Sequence, residues 1–192
     1  MTPRSAQGQV LGRDVLGGVI AGELSGLIMA LVMMVVFALI LNRGPLFPVQ
    51  VIGSVIYGER ALVGTHVPSI IAGLLLHQLG PSLVWGVLFG AAVYAFDARQ
   101  GGKLLVVAIG TGLIAQVVDV NIILPMVFNG LHGHDLWAEN VPAFWSWASH
   151  LVFGLGLMLF PLVRPKSELG VRLTPPPERS VPKADVKYPG EL

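Results

Sequence analysis

The sequence contains no cysteine. That excludes disulfides, thiolate metal sites, cysteine-held iron–sulfur clusters and covalent c-type haem. Charge is almost as scarce: only 12% of the 192 residues are Asp, Glu, Lys or Arg, against about 25% in an ordinary soluble domain. The formal net charge is +1, so no bulk electrostatic attraction to nucleic acid is available. Also missing are a glycine loop followed by Lys-Ser/Thr, a His-Glu-x-x-His pair and a Gly-x-Ser-x-Gly elbow. Each would have pointed to a specific catalytic chemistry. No enzyme is expected.

What is abundant is apolar. Hydrophobic residues make up 54% of the chain and mean hydropathy is +0.73. Too little polar surface exists to cover a water-soluble globule. Four runs are long enough to cross about 30 Å of hydrocarbon: Val15–Leu41, Ser69–Phe96, Leu104–Leu124 and Ala143–Val163. The first is too long for the core of a cleaved signal peptide and reads as a retained helix. Pro68 and Pro142 stand at helix starts, where a missing N–H costs nothing. Pro125 and Pro161 are expected to close the third and fourth helices, and Gly80-Pro81 to kink the second.

The expected fold is therefore all-α: a four-transmembrane-helix bundle spanning 15–163. A cytoplasmic N-terminus precedes it (1–14), and a Pro- and charge-rich cytoplasmic tail follows (164–192). Of the twelve basic residues, all but Arg43 and Arg60 fall on one side of such a bundle. By the positive-inside rule both termini face the cytoplasm, as in a multi-pass protein of a bacterial inner membrane. The first outer loop, 42–68, is oddly apolar ("PLFPVQVIGSVIYGERALVG") and is expected to lie partly in the interface. Trp137, Trp145 and Trp147 fit an aromatic belt at the outer surface. The tail ("TPPPERSVPKADVKYPGEL") has the composition of an extended segment that borrows any order from a partner. No strong repeat is visible, although the second and fourth runs share a Pro followed by a His eight or nine residues later.

Gly18, Gly22 and Gly26 recur at four-residue spacing in the first helix, and Gly86 and Gly90 do so in the second. Such small-xxx-small patterns let backbones approach where lipid gives no hydrophobic drive to association. They serve either packing inside the bundle or contact with another subunit.

Ionisable groups at membrane depth are expensive and point to a site. His77 lies eight residues after Ser69 and His150 eight after Pro142, each about 12 Å below the outer surface at 1.5 Å per residue. Asp119 lies six before Pro125, about 9 Å deep. Gln116 and Asn121 flank it. One layer therefore holds His77, Asp119 and His150, with three readings open. They form a structural cluster that satisfies its own hydrogen bonds, or a ligand site with the histidines on a b-type haem or a metal ion, or a proton or ion path. No cofactor is the simplest expectation. Glu23 reads as interfacial. Outside the membrane, His132, His134 and Asp135, with Glu139 and His66 nearby, carry side chains that chelate Zn²⁺ or Cu²⁺ when they converge.

The segments "VIGSVIYGERALVGTHVPSIIAGLLLHQLGPSLVWGVLFG", "ILPMVFNGL" and "WASHLVFGLGLMLF" resemble a family of small bacterial and archaeal four-helix membrane proteins of unknown function. The resemblance covers most of Val15–Val163 and carries His77 and His150. It implies an accessory role beside respiratory components. On these grounds the expected function is a non-catalytic accessory subunit of a larger membrane complex, respiratory or electron-transferring. Its partners would be other integral membrane subunits and lipid. The alternatives are a small oligomeric channel or transporter built on the His/Asp layer, and a haem- or metal-binding protein.

Overall fold

The computed structural model describes residues 3–166. Among them there is no strand, and four helices are long and apolar enough to cross a membrane. The protein is an all-α, multi-pass membrane bundle. We number the helices α1 (Pro3–Leu39), α2 (Phe47–Tyr57), α3 (Val67–Ala95), α4 (Gly101–His132), α5 (Leu136–Asn140) and α6 (Ala143–Val163). The four spans are α1, α3, α4 and α6. Both described ends lie on one face of the bundle, here the terminal face. The short helices α2 and α5 lie on the other, the loop face. Leu31, Val35, Val106 and Leu155 are all more than half exposed, which in water would be untenable and in lipid is the expected surface.

Helix α1 is the centre of the bundle and packs against both α3 and α6. Its glycine stripe decides between the two readings above. A Cβ on Gly22 would lie 2.6 Å from the Ser82 carbonyl oxygen and 2.7 Å from Gly86 Cα. One on Gly90 would lie 2.7 Å from Val15 Cα. Gly18 and Gly22 face the backbone of Ser82, Gly86 and Gly90, and Gly26 faces the Ser82 side chain. The stripe is used inside the chain, to seat α1 on α3.

Two apolar cores follow. Toward the terminal face, Ala21, Phe89, Val93, Leu104, Phe153 and Phe160 pack together. Toward the loop face, Met33, Phe37, Val51, Phe128, Leu136 and Trp137 do so.

Several boundaries differ from expectation. Helix α1 starts at Pro3 rather than at 15, so part of the expected aqueous N-terminus is helical. Its Asp14 is fully buried and accepts hydrogen bonds from the Arg99 guanidinium (Nη2 to Oδ2, 2.8 Å) and from Arg164 Nε. This clamp ties the start of α1 to the α3–α4 loop and to the end of α6.

The prolines also behave differently. Gly80-Pro81 does not break α3, because residues Gln78–Ser82 widen into a π turn. Pro81 offers no N–H to the His77 carbonyl and its ring crowds that carbonyl. A wider turn absorbs both defects. The same device carries α4 past Pro125: Gln116–Ile123 is π-helical, and the helix runs on to His132. There Gly133, at φ +81°, ends it in the left-handed conformation that a side chain disfavours. The fourth span matches expectation, with Pro161 tolerated after a tightened turn at Leu157–Leu159.

The first outer loop gains structure that its sequence did not announce. Residues Phe47–Tyr57 form α2, started by Pro48 at its first turn, and Pro48, Val49, Gln50 and Val51 are buried. The helix packs into the bundle beside the first half of α3, with Gly53 and Gly73 at the crossing. Gln50 Nε2 then donates to the carbonyls of Ala61 (2.7 Å) and Gly64 (2.8 Å), pinning the return of the chain. Beyond Lys166 the expected C-terminal tail lies outside the described residues.

Candidate intramembrane site

Helices α3 and α4 pack against each other near the terminal face, through the Leu83–Ala95 and Gly101–Ala115 segments. Beyond that contact a cavity of about 520 Å³ lies between them. Its back wall is Met29 of α1 with His150 and Phe153 of α6. Ile52 and Val55 of α2 and Trp137 of α5 close it toward the loop face. Its mouth, between Val84 and Leu88 on α3 and Ile123 on α4, is about half exposed on the lipid-facing side.

His77, Asp119 and His150 all line this one cavity. The shared layer read from the sequence is therefore present. Gln116 is not part of it. That side chain is buried between helices, where its Oε1 accepts from Ser146 Oγ at 3.0 Å and its Nε2 donates to Asn121 at 3.4 Å.

The three groups do not hydrogen-bond to one another, as had been expected of a self-satisfying cluster. Each is held by a partner beside it. Gln78 Nε2 donates to Glu23, both to its carbonyl (3.1 Å) and to Oε2 (3.0 Å). That fixes the amide, so Gln78 Oε1 faces His77 Nδ1 at 2.8 Å and accepts its proton. His150 Nδ1 donates to the Ser146 carbonyl at 2.9 Å. Asp119 Oδ2 accepts from Trp85 Nε1 at 2.8 Å. A neutral imidazole has one donor and one acceptor nitrogen. With Nδ1 committed as donor on both rings, each histidine is left with an Nε2 lone pair. Among the described residues neither Nε2 has a protein partner, and neither has Asp119 Oδ1.

A fourth polar group was missed by the sequence reading. Trp137 is 6% exposed, lines the cavity, and its Nε1–H has no hydrogen-bond partner among the described residues. It had been assigned to the aromatic belt. A buried orphan donor is uncommon and calls for a reason. Glu23 was also misplaced: with α1 beginning at Pro3 it falls inside the span and supports His77 through Gln78. A second, smaller cavity of about 40 Å³ adjoins the first, with His77 and Trp137 lining both.

The outer histidines do not form a chelate. His132 Nε2 donates to the Val55 carbonyl at 3.1 Å. Asp135 Oδ1 caps α5 by accepting from the amides of Trp137 and Ala138. His66 Nδ1 accepts from the Ser69 amide at the start of α3. Only His134 keeps acidic neighbours, Glu139 at 2.8 Å and Glu59 at 3.5 Å. The hydrogen bond to Glu139 holds its pKa above the usual imidazole value of 6.5. Among the described residues no group of three or more His, Asp or Glu side chains is placed to hold a metal ion.

No protein-family model, no curated protein and no solved structure matches the chain.

Proposed function

We propose that the chain is a non-enzymatic membrane protein whose working part is the side-opening cavity, where it holds a lipophilic small molecule taken from the bilayer. The observation that carries this reading is the convergence of His77, Asp119 and His150 on one mostly apolar cavity with a lipid-side mouth. Ligand sites have this composition: about 300–1,000 Å³, mostly apolar, with a few placed polar groups. Ionisable residues at membrane depth are otherwise too costly to keep without use.

An accessory role in a larger complex remains compatible with such a subunit. Its sequence support was the family resemblance together with the glycine stripe, the apolar outer loop and the tail. The stripe is consumed within the bundle and the tail lies outside the described residues, so the cavity is the stronger ground. The charge distribution supports an orientation with both termini cytoplasmic in a bacterial inner membrane, which puts the cavity in the outer half of the bilayer.

The absence of cysteine gives a clean test. Ala115→Cys places a single thiol in the cavity wall. A lipid-soluble maleimide should label it in membranes, and a water-soluble, impermeant maleimide should not. Failure of the lipid-soluble reagent, or rapid labelling by the aqueous one, would contradict a lipid-accessed site. The second outcome would instead favour an aqueous channel.

A further inference from the structure

We infer that the molecule held in the cavity is a lipophilic hydroquinone, whose two hydroxyl groups donate hydrogen bonds to the two histidine Nε2 atoms. This rests on the cavity being a ligand site, and names the ligand's chemical class.

The inference comes from counting what the cavity leaves unpaired. His77 and His150 each present an Nε2 lone pair, because Gln78 and the Ser146 carbonyl occupy their Nδ1 protons. Two acceptors therefore face the space from α3 and from α6. Asp119 adds a carboxyl oxygen on α4. A quinone or a lipid ester has only acceptors and would leave both imidazole lone pairs unmet. An alkylammonium would bring a full charge into a mostly apolar space. A hydroxyl donates while staying neutral, so a hydroquinone, with two, answers both histidines. Trp85, Trp137 and Phe153 line the same space and give a ring edge-to-face or offset partners. The apolar mouth at Val84 and Leu88 suits an alkyl chain left in the bilayer.

The test uses the full chain in lipid nanodiscs and follows thermal unfolding as probe is added, since binding to the folded state raises the unfolding temperature. Four probes share a decyl chain: a benzohydroquinone, the matching benzoquinone, 4-decylphenol and decylammonium. The hydroquinone should half-saturate the shift at a tenfold or lower membrane fraction than the quinone. A site built to pair with hydroxyl groups rejects the analogue lacking them at least that strongly. The phenol tests the second hydroxyl: a tenfold loss against the hydroquinone supports pairing with both histidines, and equality overturns it.

His150→Phe and Asp119→Asn should each shrink the preference for hydroquinone over quinone, a ratio that a merely structural role would leave unchanged. Should His150→Phe fail to fold, the near-isosteric Asp119→Asn still reports. Val84→Trp, at the half-exposed mouth, should abolish the hydroquinone shift without touching any hydrogen-bonding group. A quinone bound as tightly as the hydroquinone, or a preference for the ammonium probe, overturns the class while leaving a ligand site. If no probe shifts the wild type, the ligand-site reading falls with it.

Discussion

Replacing Gly22 by alanine probes the contact that sets the bundle. The new Cβ would lie 2.6 Å from the Ser82 carbonyl oxygen and 2.7 Å from Gly86 Cα. Ordinary contact begins at 3.4 Å, so the shortfall is 3.4 − 2.6 = 0.8 Å. Both opposing atoms are backbone of α3 and cannot rotate away. The helices must separate along the stripe, which also strips contact from Gly18 and Gly26. Overpacking of this kind costs about 1–3 kcal/mol. Alanine's intrinsic helix advantage over glycine, up to ~1 kcal/mol, works the other way. The net expectation is a loss of up to about 2 kcal/mol. Gly110→Ala is the internal control, because nothing lies within 4 Å of its Cβ position. That change should be neutral or slightly stabilising. Reversible unfolding by SDS in mixed micelles, read from tryptophan fluorescence, measures both. Equal stability of the two variants would refute the glycine-stripe packing of α1 on α3.

Other consequences are equally open to measurement. Asp14→Asn should destabilise the fold by about 3 kcal/mol, the lower end for breaking a buried ion pair, because Arg99 and Arg164 keep 29% and 22% of their side chains exposed; the same unfolding assay checks it. His134, held above its usual pKa by Glu139, should contribute stability that is complete below about pH 6.5 and fades as pH rises through its raised folded value. Glu139→Gln should lower that midpoint in an NMR titration, and an unmoved midpoint would contradict the pairing. A reporter fused after Leu192 should be active on the cytoplasmic side, and periplasmic activity would reverse the proposed orientation.

The spans were legible because lipid imposes one simple rule, an apolar run of sufficient length, and Ala143–Val163 obeys it to the residue. The prolines were misread for a physical reason. Pro81 and Pro125 break a regular α-helix, but a neighbouring π turn removes the clash and the helix continues, and no sequence period announces that turn. Helix α2 was hidden because its apolar run is too short to span, and short apolar runs do not say whether they face lipid or protein. The depth of His77, Asp119 and His150 could be counted along the chain, so their meeting was foreseen. Their true partners were not. Trp85 lies on α3 and Asp119 on α4, and Gln78 reaches Glu23 across 55 residues of sequence; only helix rotation decides such pairs. Trp137 looked like every other interfacial tryptophan until the fold buried it, with its N–H unpaired, in the wall of the cavity.

The account rests most heavily on the cavity holding a lipophilic molecule, and co-extraction tests that directly. Wild-type protein and Val84→Trp would be isolated with their surrounding lipid in polymer nanodiscs, extracted with solvent and analysed by mass spectrometry. The account predicts a hydrophobic molecule enriched over bulk lipid, near one per chain, in the wild type and depleted in the variant. Identical extracts from the two proteins, with nothing enriched over the bulk membrane, would contradict it.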